Sequence, residues 1–164
     1  MGNLDAISAR IRDRANMSWL TPSQNSIWNS IKEFDGPPHR IINIYGAEGT
    51  GKTFLGWIME RENYATYMTW RETPKPQFPR LVIDEAKYDR TSTRGIRPMV
   101  DALSLKQIIL LSRIRIDEPS VPAFELRVLD EDIESLKANL FRHLRIIVHE
   151  GTFRNYKLLL NKVG

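Results

Sequence analysis

The eight residues Gly46-Ala47-Glu48-Gly49-Thr50-Gly51-Lys52-Thr53 constrain this chain more than any other stretch. They fit G-x-x-x-x-G-K-[ST], a loop whose main-chain N–H groups cradle phosphate. The flanks agree with that pattern. Arg40 to Tyr45 reads as a buried strand, and Thr53 to Met59 as the helix after it. Glycines let backbone N–H groups turn inward around an anion without side-chain clash. The helix start adds unpaired N–H donors and the positive end of a dipole. On this reading Gly46, Ala47, Glu48, Gly49, Thr50, Gly51, Lys52, Thr53 and Phe54 surround the phosphates of a nucleotide. Lys52 reaches for the β- and γ-phosphates, and the Thr53 hydroxyl takes a place on Mg²⁺.

A second stretch, Leu81-Val82-Ile83-Asp84-Glu85, is an apolar strand ending in two acids. Behind a phosphate loop, Asp84 is placed to hold Mg²⁺ and Glu85 to orient and deprotonate an attacking water. The run Lys106 to Arg113 reads as another buried strand with a polar end. Ser112 falls where a group sensing the γ-phosphate would sit, and Arg113 follows it.

The remaining elements are read from periodicity and punctuation. Leu4, Ile7, Ile11 and Ala15 make a short amphipathic helix whose other face carries Arg10, Arg12 and Arg14. Thr21-Pro22-Ser23-Gln24 starts a helix that Gly36-Pro37-Pro38 stops. Trp19, Leu20 and Pro22 are candidates for an apolar base pocket. The helix after the phosphate loop runs to about Asn63, and Tyr64 to Trp70 forms a second strand. Arg71 to Arg80 holds Pro74, Pro76 and Pro79 and is no helix. A parallel crossover normally takes a dozen or more residues, so the second strand is either antiparallel at an edge or crosses by a bare loop. A helix is expected around Pro98 to Leu103, a strand over Phe124 to Leu129, a helix capped by Asp130, a short strand over Arg145 to His149, and a last helix within Gly151 to Leu160. The chain divides into an N-terminal helical arm (1–20), a core (21–129) and a C-terminal helical segment (130–164).

Composition narrows the setting. The sequence has no cysteine, which removes thiolate metal sites, disulfides and thiol nucleophiles. His39, His143 and His149 lack metal-ligand spacing. No apolar run approaches the ~20 residues that span a bilayer, and charged residues from Asp5 to Arg14 stand where a secretion signal has its apolar core. A cytoplasmic protein without membrane partners is the expectation. The net charge of +4 leans towards polyanions.

The two motifs together resemble a P-loop ATPase of the branch with a catalytic glutamate, and the order of features is similar to AAA+ and STAND ATPases over about Thr21 to Leu160. The resemblance implies a three-layer α/β/α P-loop fold with a mainly parallel central sheet. It implies ATP and Mg²⁺ as ligands, Lys52 and Thr53 on phosphate and metal, Asp84 on metal, Glu85 as base and Ser112 as first sensor. Gly151-Thr152-Phe153-Arg154 is similar to the start of a lid helix, which makes Arg154 a candidate second sensor. Arg113, Arg115, Arg94 and Arg97 are candidates for an arginine finger acting across a homo-oligomer or larger complex. The guanine-reading N-K-x-D signature is absent, since Asn161-Lys162-Val163 ends in Gly164. The function expected is ATP hydrolysis that drives or switches a protein or nucleic-acid assembly. A nucleotide-gated switch with little turnover and a small nucleoside or nucleotide kinase are the alternatives.

Overall fold

The computed structural model describes residues 3–35, 37–86, 93–148 and 151–162. Five strands form one sheet: β1 (Ile41–Tyr45), β2 (Thr66–Thr69), β3 (Arg80–Asp84), β4 (Gln107–Ser112) and β5 (Ala123–Glu125). Their order is β2-β3-β4-β1-β5, and every pairing is parallel. Among the described residues six helices accompany them: α1 (Asn3–Arg14), α2 (Pro22–Glu33), α3 (Lys52–Arg61), α4 (Thr93–Ala102), α5 (Asp130–Leu144) and α6 (Tyr156–Asn161), with a 3₁₀ turn at Met17–Trp19.

Strand periodicity builds the layers. Alternate side chains leave opposite faces of a strand. In β4, Ile109 and Leu111 join one core with Ile42, Ile44 and Val82, and with apolar residues of α1, α2, α3, α5 and α6. Ile108 and Leu110 join a second core with Leu81, Ile83 and, from α4, Ile96 and Val100. This is the three-layer arrangement that the resemblance implied. The central strands are apolar on both faces because both are covered.

The crossover from β2 to β3 is a bare loop. Thr66 pairs with Leu81 and Thr69 with Asp84, in parallel. The Pro-rich segment between them holds itself to the edge strand, with the N–H groups of Gln77 and Phe78 donating to Thr66 Oγ1 at 2.7 and 3.1 Å. An edge strand needs no helix to bury its outer side, and so the short connection suffices.

Several segments differ from the sequence expectation: β2 is shorter than Tyr64 to Trp70, and α4 begins at Thr93, ahead of Pro98. The strand expected over Phe124 to Leu129 is confined to Ala123–Glu125, because Leu126 closes the ladder with its N–H on Tyr45 O at 2.8 Å. No strand forms over residues 145–148. Arg145 instead takes a left-handed conformation (φ 57°) that ends α5, and the Ile146 N–H folds back onto Leu140 O at 3.2 Å. His149 lies outside the described residues. Asp130 does not cap α5. The cap residue is Leu129, whose N–H donates to Asp132 Oδ2 at 2.8 Å. Asp132 also accepts the Ser23 N–H and hydroxyl at 2.8 and 2.7 Å, so one buried carboxylate ties the starts of α2 and α5 together.

The expected arm is packed on the rest. Ile7, Ile11 and Ala15 are buried in the larger core. Arg10 and Arg14 donate to the carbonyls of Leu144 and His143 at the C-terminal end of α5, where a helix favours cations. Arg12 lies 5.4 Å from the Trp57 ring centre.

Candidate functional site

The phosphate-loop segment links β1 to α3 as its motif demands. Gly49 and Gly51 have φ of +80° and +86°, a conformation nearly closed to residues with a Cβ. Space is short there as well. A Cβ on Gly51 would come 2.4 Å from Gln24 Nε2 and 2.7 Å from Tyr156 Cε2. Thr50 Oγ1 donates to Ala47 O at 3.0 Å and braces the loop from inside.

Lys52 opens α3 and turns back over the loop. Its Nζ donates to Gly46 O at 2.6 Å and Ala47 O at 2.8 Å. Burial strips water from this ammonium and lowers its pKa, against the raising pull of Asp84. It is a cation held at the mouth of an anion nest, with no carboxylate among its hydrogen-bond partners.

The second motif meets the first at the next residue. Thr53 Oγ1 donates to Asp84 Oδ2 at 2.6 Å. Asp84 ends β3, is 5% exposed, and takes the Glu85 N–H on Oδ1 at 2.7 Å. Glu85 follows in a left-handed turn (φ 57°) with its side chain exposed. A cavity of about 1030 Å³ is lined by Glu48, Gly49, Gly51, Lys52, Thr53, Phe54, Asp84, Glu85, Ser112 and Arg113 together. Gly46, Ala47 and Thr50 belong to the loop but do not line that cavity.

Ser112 is near but committed. It accepts Asn43 Nδ2 at 2.8 Å and donates to Ile114 O at 2.7 Å. Arg113 is exposed and pairs with Glu48 at 3.1 Å. Arg115 and Arg97 are exposed and away from the cavity, Arg97 donating to Ser120 Oγ at 2.6 Å. The Arg94 side chain lies outside the described residues. Arg154 is exposed and does not line the cavity. Lys157, three residues on, does line it and pairs with Glu48 at 2.5 Å. That pairing, more than Arg113, holds the Glu48 carboxylate below its usual pKa. Of the residues considered for a base pocket, Trp19 lines the cavity and stacks on His143 at 4.6 Å, whereas Leu20 and Pro22 do not line it.

Four residues of the site were not legible as such. The Tyr67 hydroxyl donates to Asp84 Oδ2 at 2.8 Å. The Tyr156 N–H donates to Gly49 O at 2.9 Å, and its hydroxyl meets Thr21 Oγ1 at 2.7 Å. Gln24 Oε1 accepts the Thr21 N–H at 3.0 Å, as expected of a capping residue, but Gln24 Nε2 also donates to Gly51 O at 3.2 Å. Lys157 is the fourth. A strand aromatic, a capping Gln and a tail Lys carry no sequence mark of a shared site.

The donor set suits a hard divalent cation. Thr53 and Asp84 present oxygens 2.6 Å apart beside the loop. Among the described residues no group of three or more His, Cys, Asp or Glu is placed to hold a metal. A cation here would draw its other ligands from water and phosphate, as Mg²⁺ habitually does.

With this geometry in hand, solved structures supply the comparison. The backbone fold is similar to that of solved DnaA structures. The replication initiator DnaA bound to AMPPCP and single-stranded DNA matches with a TM-score of 0.56 at 15% identity, over 84% of this chain and 58% of that one. AMPPCP-bound DnaA from Aquifex aeolicus gives 0.60 at 14% identity, over 88% and 61%. Domain III of the Thermotoga maritima replication initiation protein DnaA gives 0.53 at 16%, over 87% and 82%. This chain thus spans about three fifths of the first two DnaA chains named here. No family model matches the sequence, and no curated protein matches it. The likeness to DnaA is therefore one of backbone architecture. No helix among the described residues is long and apolar enough to cross a membrane.

Proposed function

We propose that this chain binds ATP with Mg²⁺ at the phosphate loop and hydrolyses it. The observation that carries the reading is the 2.6 Å bond between Thr53 and Asp84. It joins two motifs 31 residues apart in sequence, with Lys52 and Glu85 lining the same cavity.

Each residue has a task in that scheme. The amides around Gly49 and Gly51 bind the phosphates. Lys52 exchanges its two carbonyl partners for phosphate oxygens, a step made easier because no salt bridge must break. Thr53 and Asp84 would hold Mg²⁺, which would supply charge neutralisation to the bound phosphates. Glu85, exposed at the rim, accepts the proton of the attacking water. Lys157 and Arg113, which line the cavity and are tied to Glu48, are further cations for charge developing on the γ-phosphate.

A trans-acting arginine, an oligomer and a nucleic-acid partner extend this reading. DnaA bound to single-stranded DNA is the structural analogy for the last of these, and the net charge of +4 agrees with it. A switch whose output is the bound state is the second reading. It is favoured by Ser112, whose hydroxyl is spent on Asn43 and Ile114.

Phosphate release, measured with and without single-stranded DNA and across protein concentration, tests both. Glu85→Gln should keep ATP binding within a few-fold and lower turnover on the order of 10²- to 10⁴-fold. Turnover equal in wild type and Glu85→Gln would leave the switch. Loss of ATP binding in wild type at millimolar Mg²⁺ would end both readings.

A further inference from the structure

Among the described residues, Asp84 accepts three hydrogen bonds on two oxygens. Oδ1 accepts the Glu85 N–H at 2.7 Å, while Oδ2 accepts the Thr53 hydroxyl at 2.6 Å and the Tyr67 hydroxyl at 2.8 Å. An ionised carboxylate offers about two acceptor sites per oxygen. Both sites of Oδ2 are therefore taken, one by Thr53 in α3 and one by Tyr67 in β2.

The placement of Tyr67 follows from the sheet. Tyr67 stands opposite Val82 in the parallel register, and Val82 and Asp84 share a face of β3. The ring thus points along the face that carries the metal carboxylate and reaches it diagonally. Helix α3 makes room for it at one position. A Cβ on Gly56 would stand 2.7 Å from Tyr67 Cδ2. The same helix holds the Tyr67 backbone, since Glu60 Oε1 accepts its N–H at 3.2 Å. Ring, backbone and hydroxyl are each fixed by a separate neighbour.

We infer that Tyr67 is a positioning residue for the metal carboxylate: its hydroxyl saturates Oδ2 and fixes the orientation of Asp84, so that metal use is set in part from the edge strand β2. The inference rests on the ATP site proposed above and adds to it a determinant of metal dependence. Without the hydroxyl, the carboxylate keeps Thr53 and the Glu85 N–H but gains a free acceptor site and freedom to rotate. Mg²⁺ demands near-ideal octahedral geometry, whereas Ca²⁺ tolerates irregular and bidentate carboxylates. Loss of the hydroxyl should therefore penalise Mg²⁺ more than Ca²⁺.

The test is binding of a fluorescent ATP analogue to wild type, Tyr67→Phe and Gly56→Ala, in EDTA and in separate Mg²⁺ and Ca²⁺ titrations. Tyr67→Phe should keep its metal-free affinity within about twofold and raise the Mg²⁺ midpoint on the order of 10-fold, the loss expected for one hydrogen bond to a charged group. The Ca²⁺ midpoint should move less. Gly56→Ala displaces the ring while keeping the hydroxyl, and should shift the Mg²⁺ midpoint the same way. It decides the matter if Tyr67→Phe does not fold. An unchanged Mg²⁺ midpoint in the folded variants overturns the role of Tyr67 and leaves the ATP site standing. An equal loss in EDTA makes Tyr67 a prop of the loop and overturns the inference as well. A wild type that binds no analogue overturns both site and inference.

Discussion

Replacing Gly51 by Ala should damage this protein in a way that replacing Gly95 by Ala cannot. Gly51 sits at φ +86°, where a residue with a Cβ gives up about 1–2 kcal/mol. The new methyl would stand 2.4 Å from Gln24 Nε2 and 2.7 Å from Tyr156 Cε2. The Gln24 amide can swing away, but only by giving up its 3.2 Å bond to Gly51 O, a net loss of about 0.5–1.5 kcal/mol. The sum is about 1.5–3.5 kcal/mol. At about 2–4 °C per kcal/mol for a domain of this size, the melting temperature should fall by about 3–14 °C. Gly95 is the internal control. It lies in α4 with nothing within 4 Å of an added Cβ, so Ala there should stabilise by up to ~1 kcal/mol through helix propensity. Differential scanning fluorimetry of both variants, with ATP affinity measured on each, gives the comparison. The reasoning is refuted if Gly51→Ala melts with wild type and binds ATP as well, or if both substitutions move stability in the same direction.

Two further outcomes follow from groups buried near the loop. Burial holds the Lys52 pKa below its ordinary 10.5; between that lowered value and 10.5 the unfolded chain binds more protons than the folded one, and stability contributed by Lys52 rises with pH. Urea midpoints for wild type minus Lys52→Ala should therefore climb through that window, while ATP affinity of wild type declines as the ammonium is lost; a difference that stays flat with pH contradicts the assignment. Asp132 is fully buried and accepts from Ser23 twice and from Leu129; Asp132→Ala strands those donors and should cost about 2–4 kcal/mol, measured by denaturant unfolding, whereas a loss under about 1 kcal/mol would mean water satisfies them.

The phosphate loop was legible because its chemistry is local. Eight consecutive residues carry their own glycines, lysine and hydroxyl, and the apolar runs on either side can only be strand and helix. Leu81 to Glu85 was legible for the same reason. The three-layer sheet was implied by the resemblance that these two motifs carry, and the structure has it, with the central strands covered on both faces.

What local pattern does not encode is which distant groups meet. Asn43 and Ser112 are 69 positions apart, and only their adjacency in the sheet shows that the Ser112 hydroxyl is already engaged. Arg154 and Lys157 stand three residues apart near the start of α6; the packing of that helix on Gly49 selects Lys157 for the cavity and leaves Arg154 in solvent. The direction of β2 was open until register placed Tyr67 beside Val82 and its hydroxyl on Asp84. Sequence by itself determined that a glycine-rich strand-to-helix loop and an acidic strand end exist. Tertiary structure alone decided their company, because side chains far apart along the chain become neighbours only when the layers close and each buried polar atom must find a partner.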